Sequence, residues 1–373
     1  MINRILAGKI KTRLFSGKAI ILVGARQVGK TTMLETLFHN DPNVLWLNGD
    51  DLDVRTMFEN MTSTRLQAII GHKKLMIIDE AQRIPDIGMK LKLITDQIKD
   101  VQLIATGSSS FELANRVNEP LTGRKWEYNM FPVSFAEMVA HHGLLEEKRM
   151  IPHRLVFGYY PEIVCNPGNE KTVLKQLSDS FLYRDILNSE KIQKTDGLIK
   201  LLQALAFQVG TQVSYNELGQ LCRLDYKTIE KYITILEQAY IIFRLGSFSR
   251  NLRNELKFSK KVYFFDNGIR NAIIANFSQI ENRADVGALW ENLLVSERIK
   301  YLHYSGKWCN FWYWRTTNQK EIDYIEEADG QMNAYEFKWN PGKKIKAPAL
   351  FLNNYPESRF YVIHRENFDA FLL

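Results

Sequence analysis

The chain has 373 residues, more than one core of about 250–300 residues holds, so two or three domains are expected. With 45% hydrophobic and 24% charged residues it is not a disordered chain, and no apolar run reaches the ~18 residues of a membrane span. Three dispersed cysteines, Cys165, Cys222 and Cys309, argue against a disulfide framework or zinc site and fit a reducing cytoplasm, while a net charge of +7 is compatible with nucleic acid without requiring it.

The N-terminus, MINRILAGKIKTRLFSGK, is basic, and Ile2, Ile5, Leu6, Ile10 and Leu14 recur at helical spacing. That pattern predicts an amphipathic helix rather than a signal peptide. From Lys18 to about Met138 the pattern is α/β. AIILVG (19–24), LMIIDE (75–80) and VQLIATG (101–107) read as buried parallel strands, with NVLWLNGDD (43–51) as a fourth. Each of the first three turns polar or Gly-rich at its carboxyl end, where open α/β sheets bind ligands.

The segment from Gly24 to Thr31, GARQVGKT, matches GxxxxGK[ST] between a strand and a helix pattern, the context this motif requires. Its glycines let backbone N–H groups and the helix N-terminus surround phosphates. ATP contacts are expected from Gly24, Gln27, Val28, Gly29, Lys30, Thr31 and Thr32, with Lys30 on the β/γ-phosphates and the Thr31 hydroxyl on Mg²⁺. In LMIIDEA, Asp79 is placed to hold Mg²⁺ through water and Glu80 to polarise the attacking water, the alternative being an N-cap Asp. Ser108 or Ser109 in IATGSSS either touches the γ-phosphate or the water, or caps a helix. Arg124, in LTGRKWEYNMFPVSFAEM, is either an arginine finger or part of a surface salt bridge.

In this order GARQVGKT, IIDEAQRIP, ATGSSS and LTGR…FPVSFAEM resemble an AAA+-related ATPase family of bacteria and archaea, whose members usually carry a C-terminal domain of unknown function. The resemblance covers nearly the whole chain. It implies an AAA+-like P-loop NTPase with a parallel sheet over residues 1–140 and favours Arg124 as a finger or sensor. A finger acting in trans would require a homo-oligomer.

Residues 141–195 read as a helical connector containing Pro152, Pro161 and Pro167. Residues 196–260 resemble a winged helix-turn-helix. Leu198, Leu201, Leu202, Leu205 and Val209 form one apolar stripe, Ser214 caps a second helix, and Asp225 starts a third. On that third helix Ile229, Tyr232, Ile233 and Leu236 face inward, leaving Tyr226, Lys227, Lys231 and Thr234 outward. Six basic residues and one acidic between Arg244 and Lys261 suit DNA phosphates, although Glu230 and Glu237 oppose DNA, and packing between domains or on a protein partner is the other reading.

Residues 261–373 carry Glu291 on a helix pattern, Glu321 and Asp323 on one face of a strand, a hairpin at Ala328–Asp329–Gly330, and Glu336-Phe-Lys338. That arrangement is the one found in PD-(D/E)XK nucleases, without the usual Pro before the Asp. Asp323 and Glu336 would hold a second divalent ion, Lys338 would orient water and Glu291 would complete the site. Solvated ion pairs on an exposed face, or a nuclease-like fold that does not cleave, remain the alternatives. The expected function is ATP hydrolysis with Mg²⁺, coupled to double-stranded DNA or, alternatively, to a protein partner.

Overall fold

The computed structural model describes residues 2–59, 61–107, 115–180, 194–248, 260–316, 318–342 and 345–373. They fall into two compact units, one of residues 1–133 with 238–240, the other of residues 134–237 with 241–373.

In the first unit, β1 (Ala19–Gly24), β2 (Val44–Asn48), β3 (Leu75–Asp79), β4 (Gln102–Gly107) and β5 (Lys125–Met130) form a sheet in the order β2-β3-β4-β1-β5. Every pairing is parallel, so the carboxyl ends of all five strands share one edge. β1, β3 and β4 are buried along their whole length, as apolar runs covered on both faces should be. No apolar run marks β5. Its sequence KWEYNM sits at the edge of the sheet, half exposed, with only Met130 buried. The N-terminal helix, Ile5–Arg13, forms where the spacing predicts it and buries Leu6 and Ile10.

In the second unit the helices Leu144–Phe157 and Glu170–Ser180 both pack on Asn267–Ile273, so the stretch read as a connector is integral to this unit. Asn271 donates to the carbonyls of Leu155 and Val156 at 3.0 and 2.8 Å, satisfying acceptors that a helix end leaves open. Three helices follow, Thr195–Phe207, Tyr215–Cys222 and Tyr226–Gln238. With them goes an antiparallel sheet of β6 (Gln212–Val213), β7 (Ile242–Leu245) and β8 (Lys260–Phe264) in the order β6-β8-β7. Leu198, Leu201, Leu202, Leu205, Ile229, Tyr232, Ile233 and Leu236 are buried, as their periodicity predicts. Tyr226, Lys227 and Lys231 are exposed and Thr234 is half-buried. β8 runs to Phe264, so this sheet extends past residue 260.

The helix Val286–Ser305 precedes a mixed sheet of β9 (Asn310–Arg315), β10 (Glu321–Ala328), β11 (Gln331–Phe337) and β12 (Arg359–Ile363), in the order β12-β11-β10-β9. Asp329 and Gly330 turn β10 into β11 with φ of 51° and 78°, the left-handed pair a two-residue hairpin favours. Phe248 N donates to Tyr313 O at 2.6 Å and Tyr313 N to Gly246 O at 3.0 Å, joining the end of β7 to β9. Among the described residues no helix is long and apolar enough to cross a membrane.

Candidate functional site

The loop that links β1 to the helix Lys30–Phe38 depends on backbone conformations most residues avoid. A Cβ on Gly24 would stand 2.1 Å from the Met130 carbonyl oxygen, so β5 approaches too closely for any side chain there. Gln27 and Gly29 have φ of 58° and 92°, and the helix starts at Lys30, leaving its first-turn N–H groups without helical partners. Lys30 is only 5% exposed and donates to the carbonyls of Gly24 at 2.9 Å and Ala25 at 2.8 Å. Phosphate oxygens would take over from those carbonyls as acceptors. Gln27 and Thr32 are exposed and Val28 is buried.

Asp79, at the end of β3, receives a hydrogen bond from a threonine on each carboxylate oxygen. Thr31 Oγ1 donates to Oδ2 at 2.8 Å, and Thr106 Oγ1 donates to Oδ1. Thr106 also accepts from Glu80 N at 3.1 Å and has no exposed surface. β4 lies between β3 and β1, so its end is interposed between the acids and the P-loop. A motif reading misses Thr106. Its one signal is a hydroxyl inside the apolar run QLIATG, where a buried polar group has to find partners. Glu80 has φ 48°, and its Oε2 accepts from Gln82 Nε2 at 2.5 Å. A Cβ on Gly49 would stand 2.4 Å from the Glu80 carbonyl oxygen, so the end of β2 also requires glycine. Arg4 is a second residue that no motif marks. It donates to Val28 O at 2.6 Å and Phe131 O at 2.7 Å, fastening the loop to the segment after β5.

A hydroxyl and a carboxylate 2.8 Å apart at this edge fit Mg²⁺, which takes hard oxygen donors and shares them with substrate phosphates. Ser108 and Ser109 lie outside the described residues. Arg124 lies away from the P-loop of its own chain. It precedes β5 at the edge where β1 begins, Ala19 pairing with Lys125, whereas the P-loop lies where β1 ends. Six strand residues separate the two edges, roughly 20 Å. Arg124 Nε pairs instead with Asp96 Oδ1 at 2.7 Å on the surface. Within this chain it is a surface ion pair and does not reach the phosphate site.

In the second unit Glu291, Asp323, Glu336 and Lys338 lie near one another. Lys338 Nζ donates to Glu336 Oε1 at 2.7 Å, and Phe337 N donates to Asp323 Oδ2 at 2.8 Å. Glu291 and Glu336 are among the charges acting on Asp323, and Asp323 and Glu291 among those acting on Lys338. The cluster also holds a residue absent from the expectation. Lys261, on β8 and 2% exposed, bonds Glu291 Oε1 at 2.8 Å, pairs with Glu321, and lies 4.0 Å from Asp323 Oδ1. Burial alone would depress the Lys261 amine, but Glu291, Asp323 and Glu321 outweigh it and hold its pKa above the ordinary lysine value. Burial, reinforced by Glu291 and Glu336, pushes the Asp323 carboxyl well above the usual carboxylate range despite Lys261. Tyr263 OH donates to Glu291 Oε1 at 2.6 Å, and Arg315 pairs with Glu321 at 3.3 Å.

This donor set does not fit the second divalent ion expected at Asp323 and Glu336. An ammonium already stands among the carboxylates, and Glu336 is paired with Lys338. Among the described residues no group of three His, Cys, Asp or Glu side chains is arranged to hold a metal. The cationic stretch that ends at Lys261 is also altered at both of its ends. Arg244 is bound to Glu237 and to Tyr215 OH, Lys261 is internal, and residues 249–259 lie outside the described residues.

Residues 16–139 match the family model of an AAA domain, and residues 148–280 and 286–372 each match a domain of unknown function. An uncharacterised protein of Mycobacterium bovis is 24% identical over 344 residues, covering 90% of this chain and 74% of its own length. One from Methanocaldococcus jannaschii is 22% identical over 370 residues, covering 92% of this chain and 81% of its own. Among solved structures a Walker-type ATPase of Pyrococcus abyssi aligns with a TM-score of 0.52 at 13% identity, covering 74% of this chain and 96% of that one, a likeness of fold.

Proposed function

Residues 16–139 of this chain are an AAA-related P-loop domain followed by domains of unknown function, and we propose that the chain hydrolyses ATP with Mg²⁺ and uses its nucleotide state to control binding of double-stranded DNA. The observation that carries the first half is the hydrogen-bonded series Thr31–Asp79–Thr106–Glu80, which holds the Asp79 carboxylate and the Glu80 backbone beside the P-loop. Bound with ATP, Mg²⁺ would neutralise charge on the β- and γ-phosphates. Lys30 would hold phosphate oxygens, Thr31 and Asp79 would hold the ion, and Glu80 would orient and deprotonate the attacking water with Gln82 steadying its carboxylate. Gly24, Gln27, Val28, Gly29 and Thr32 would line the phosphates.

The DNA half rests on connectivity. Helix, short strand, two helices and two strands, with the first strand pairing beside the last, is the order of a winged helix. Its third helix offers Tyr226, Lys227 and Lys231 to solvent. A second reading, a protein-directed signalling or scaffold ATPase with an inactive nuclease-like domain, draws support from Glu230, exposed on the same helix, and from the occupation of Arg244 by Glu237.

Steady-state ATP turnover with and without double-stranded DNA separates the two. In the first reading DNA raises turnover, and Lys30→Ala and Glu80→Gln each lower it by at least about a hundredfold, the scale of losing one preorganised group at a developing charge. Lys227→Glu with Lys231→Glu abolishes the response to DNA but not basal turnover. Turnover indifferent to DNA leaves the protein-directed reading. A gel of the same reactions, with Asp323→Ala as control, reports cleavage.

A further inference from the structure

We propose that Lys261 is a built-in counter-cation that occupies the position of a divalent ion among Glu291, Glu321 and Asp323 and so closes the C-terminal cluster to metal. Two elements supply the carboxylates, the helix Val286–Ser305 and β10 at its start and its interior, and they converge on one ammonium rather than on solvent. A surface ion pair would leave its lysine wet, whereas this one is 2% exposed and lies over the face of the Tyr313 ring, 5.4 Å from its centroid. Ring face and carboxylates together make a cage for a monovalent cation held in place by the chain.

The surrounding charges carry the same logic outward. Glu321 has Arg315 as a second partner, and Glu336 has Lys338. Glu291, Glu321 and Glu336 are therefore met by Lys261, Arg315 and Lys338, which leaves little charge for a divalent ion to balance. Metal would have to displace an ammonium that is covalently tethered, present at high local concentration and desolvated.

Lys261 is also structural at its backbone. It lies in β8, opposite Gln212 of β6 and Leu245 of β7. Its side chain thus pins the small three-stranded sheet to the helix and strand that carry the acids, in a position where a soluble ion would join nothing.

The test is Mn²⁺ binding, followed by electron paramagnetic resonance of the free ion, on nucleotide-free full chain carrying Asp79→Asn to remove the P-loop carboxylate. The expected result is no binding assignable to the cluster with Lys261 present. Lys261→Met should create one site, a gain in affinity on the order of tenfold or more, which adding Asp323→Asn removes. Mn²⁺ should raise the melting temperature of the Lys261→Met chain and leave that of the Lys261 chain unchanged. Binding by the Lys261 chain that Asp323→Asn abolishes overturns the proposal and needs no Lys261 variant to be informative. A folded Lys261→Met chain that takes up no Mn²⁺ overturns it equally.

Discussion

The acids at the P-loop and those of the C-terminal cluster are held in opposite ways. At the P-loop, both oxygens of Asp79 accept from neutral threonine hydroxyls, and the nearby lysine, Lys30, is turned to backbone carbonyls. In the C-terminal cluster the acids bond a lysine directly. A hydroxyl orients a carboxylate while leaving its charge for an incoming ion, whereas an ammonium consumes it. Two acids at strand ends therefore do not make a metal site by themselves; what stands opposite them decides.

The largest effect that would sharpen this contrast is on stability. Lys261→Ala leaves Glu291, Glu321 and Asp323 facing one another without their cation, and removing one partner of a buried ion pair costs about 3–5 kcal/mol. Denaturant melts should register this, while Lys30→Ala, which gives up hydrogen bonds to the Gly24 and Ala25 carbonyls, should cost less. Similar losses for the two lysines would break the comparison. Thr106→Val comes next. The swap keeps shape but strips Asp79 and Glu80 N of a buried hydroxyl, so it should cost about 1–3 kcal/mol and lower ATP turnover. Thr106→Ser should restore both, and a Thr106→Val chain with unchanged turnover would remove Thr106 from the site.

The titration of Asp323 gives a third measurement, read from its direction. An acid whose pKa is raised in the folded chain is protonated there at pH values where the unfolded chain has ionised it, so its folding contribution is full below about pH 4 and is lost as pH rises. Asp323→Asn does not ionise. Its melting temperature relative to the parent should therefore increase with pH from about 4 upward, and a flat difference would mean that Lys261 keeps Asp323 ionised throughout.

Much of this was legible in the sequence, for identifiable reasons. β1, β3 and β4 announce themselves as apolar runs because both faces are covered, and the P-loop because its spacing is enforced by backbone geometry at Gly24 and Gly29. The helix Tyr226–Gln238 was legible through its period. β5 was not, since an edge strand half in solvent need not be apolar. Thr106, Arg4 and Lys261 were not either, because each acts through partners distant in the chain. Lys261 in particular counted as part of a cationic stretch, and only the arrival of Glu291 and Glu321 in space shows it to be internal.

The smallest predicted effect concerns Arg124, which spacing and family resemblance both nominated for catalysis. Its side chain is 45% exposed and pairs with that of Asp96, 33% exposed, so the pair is screened and worth little. It lies at the sheet edge opposite the P-loop. Arg124→Ala should leave stability within about 0.5 kcal/mol and the turnover of dilute protein unchanged. Turnover that falls only as protein concentration rises, relative to the parent chain, would place Arg124 at a neighbouring subunit's nucleotide. A fall at every concentration would mean that the sheet edge seen here is not the one that matters for the acids at the P-loop.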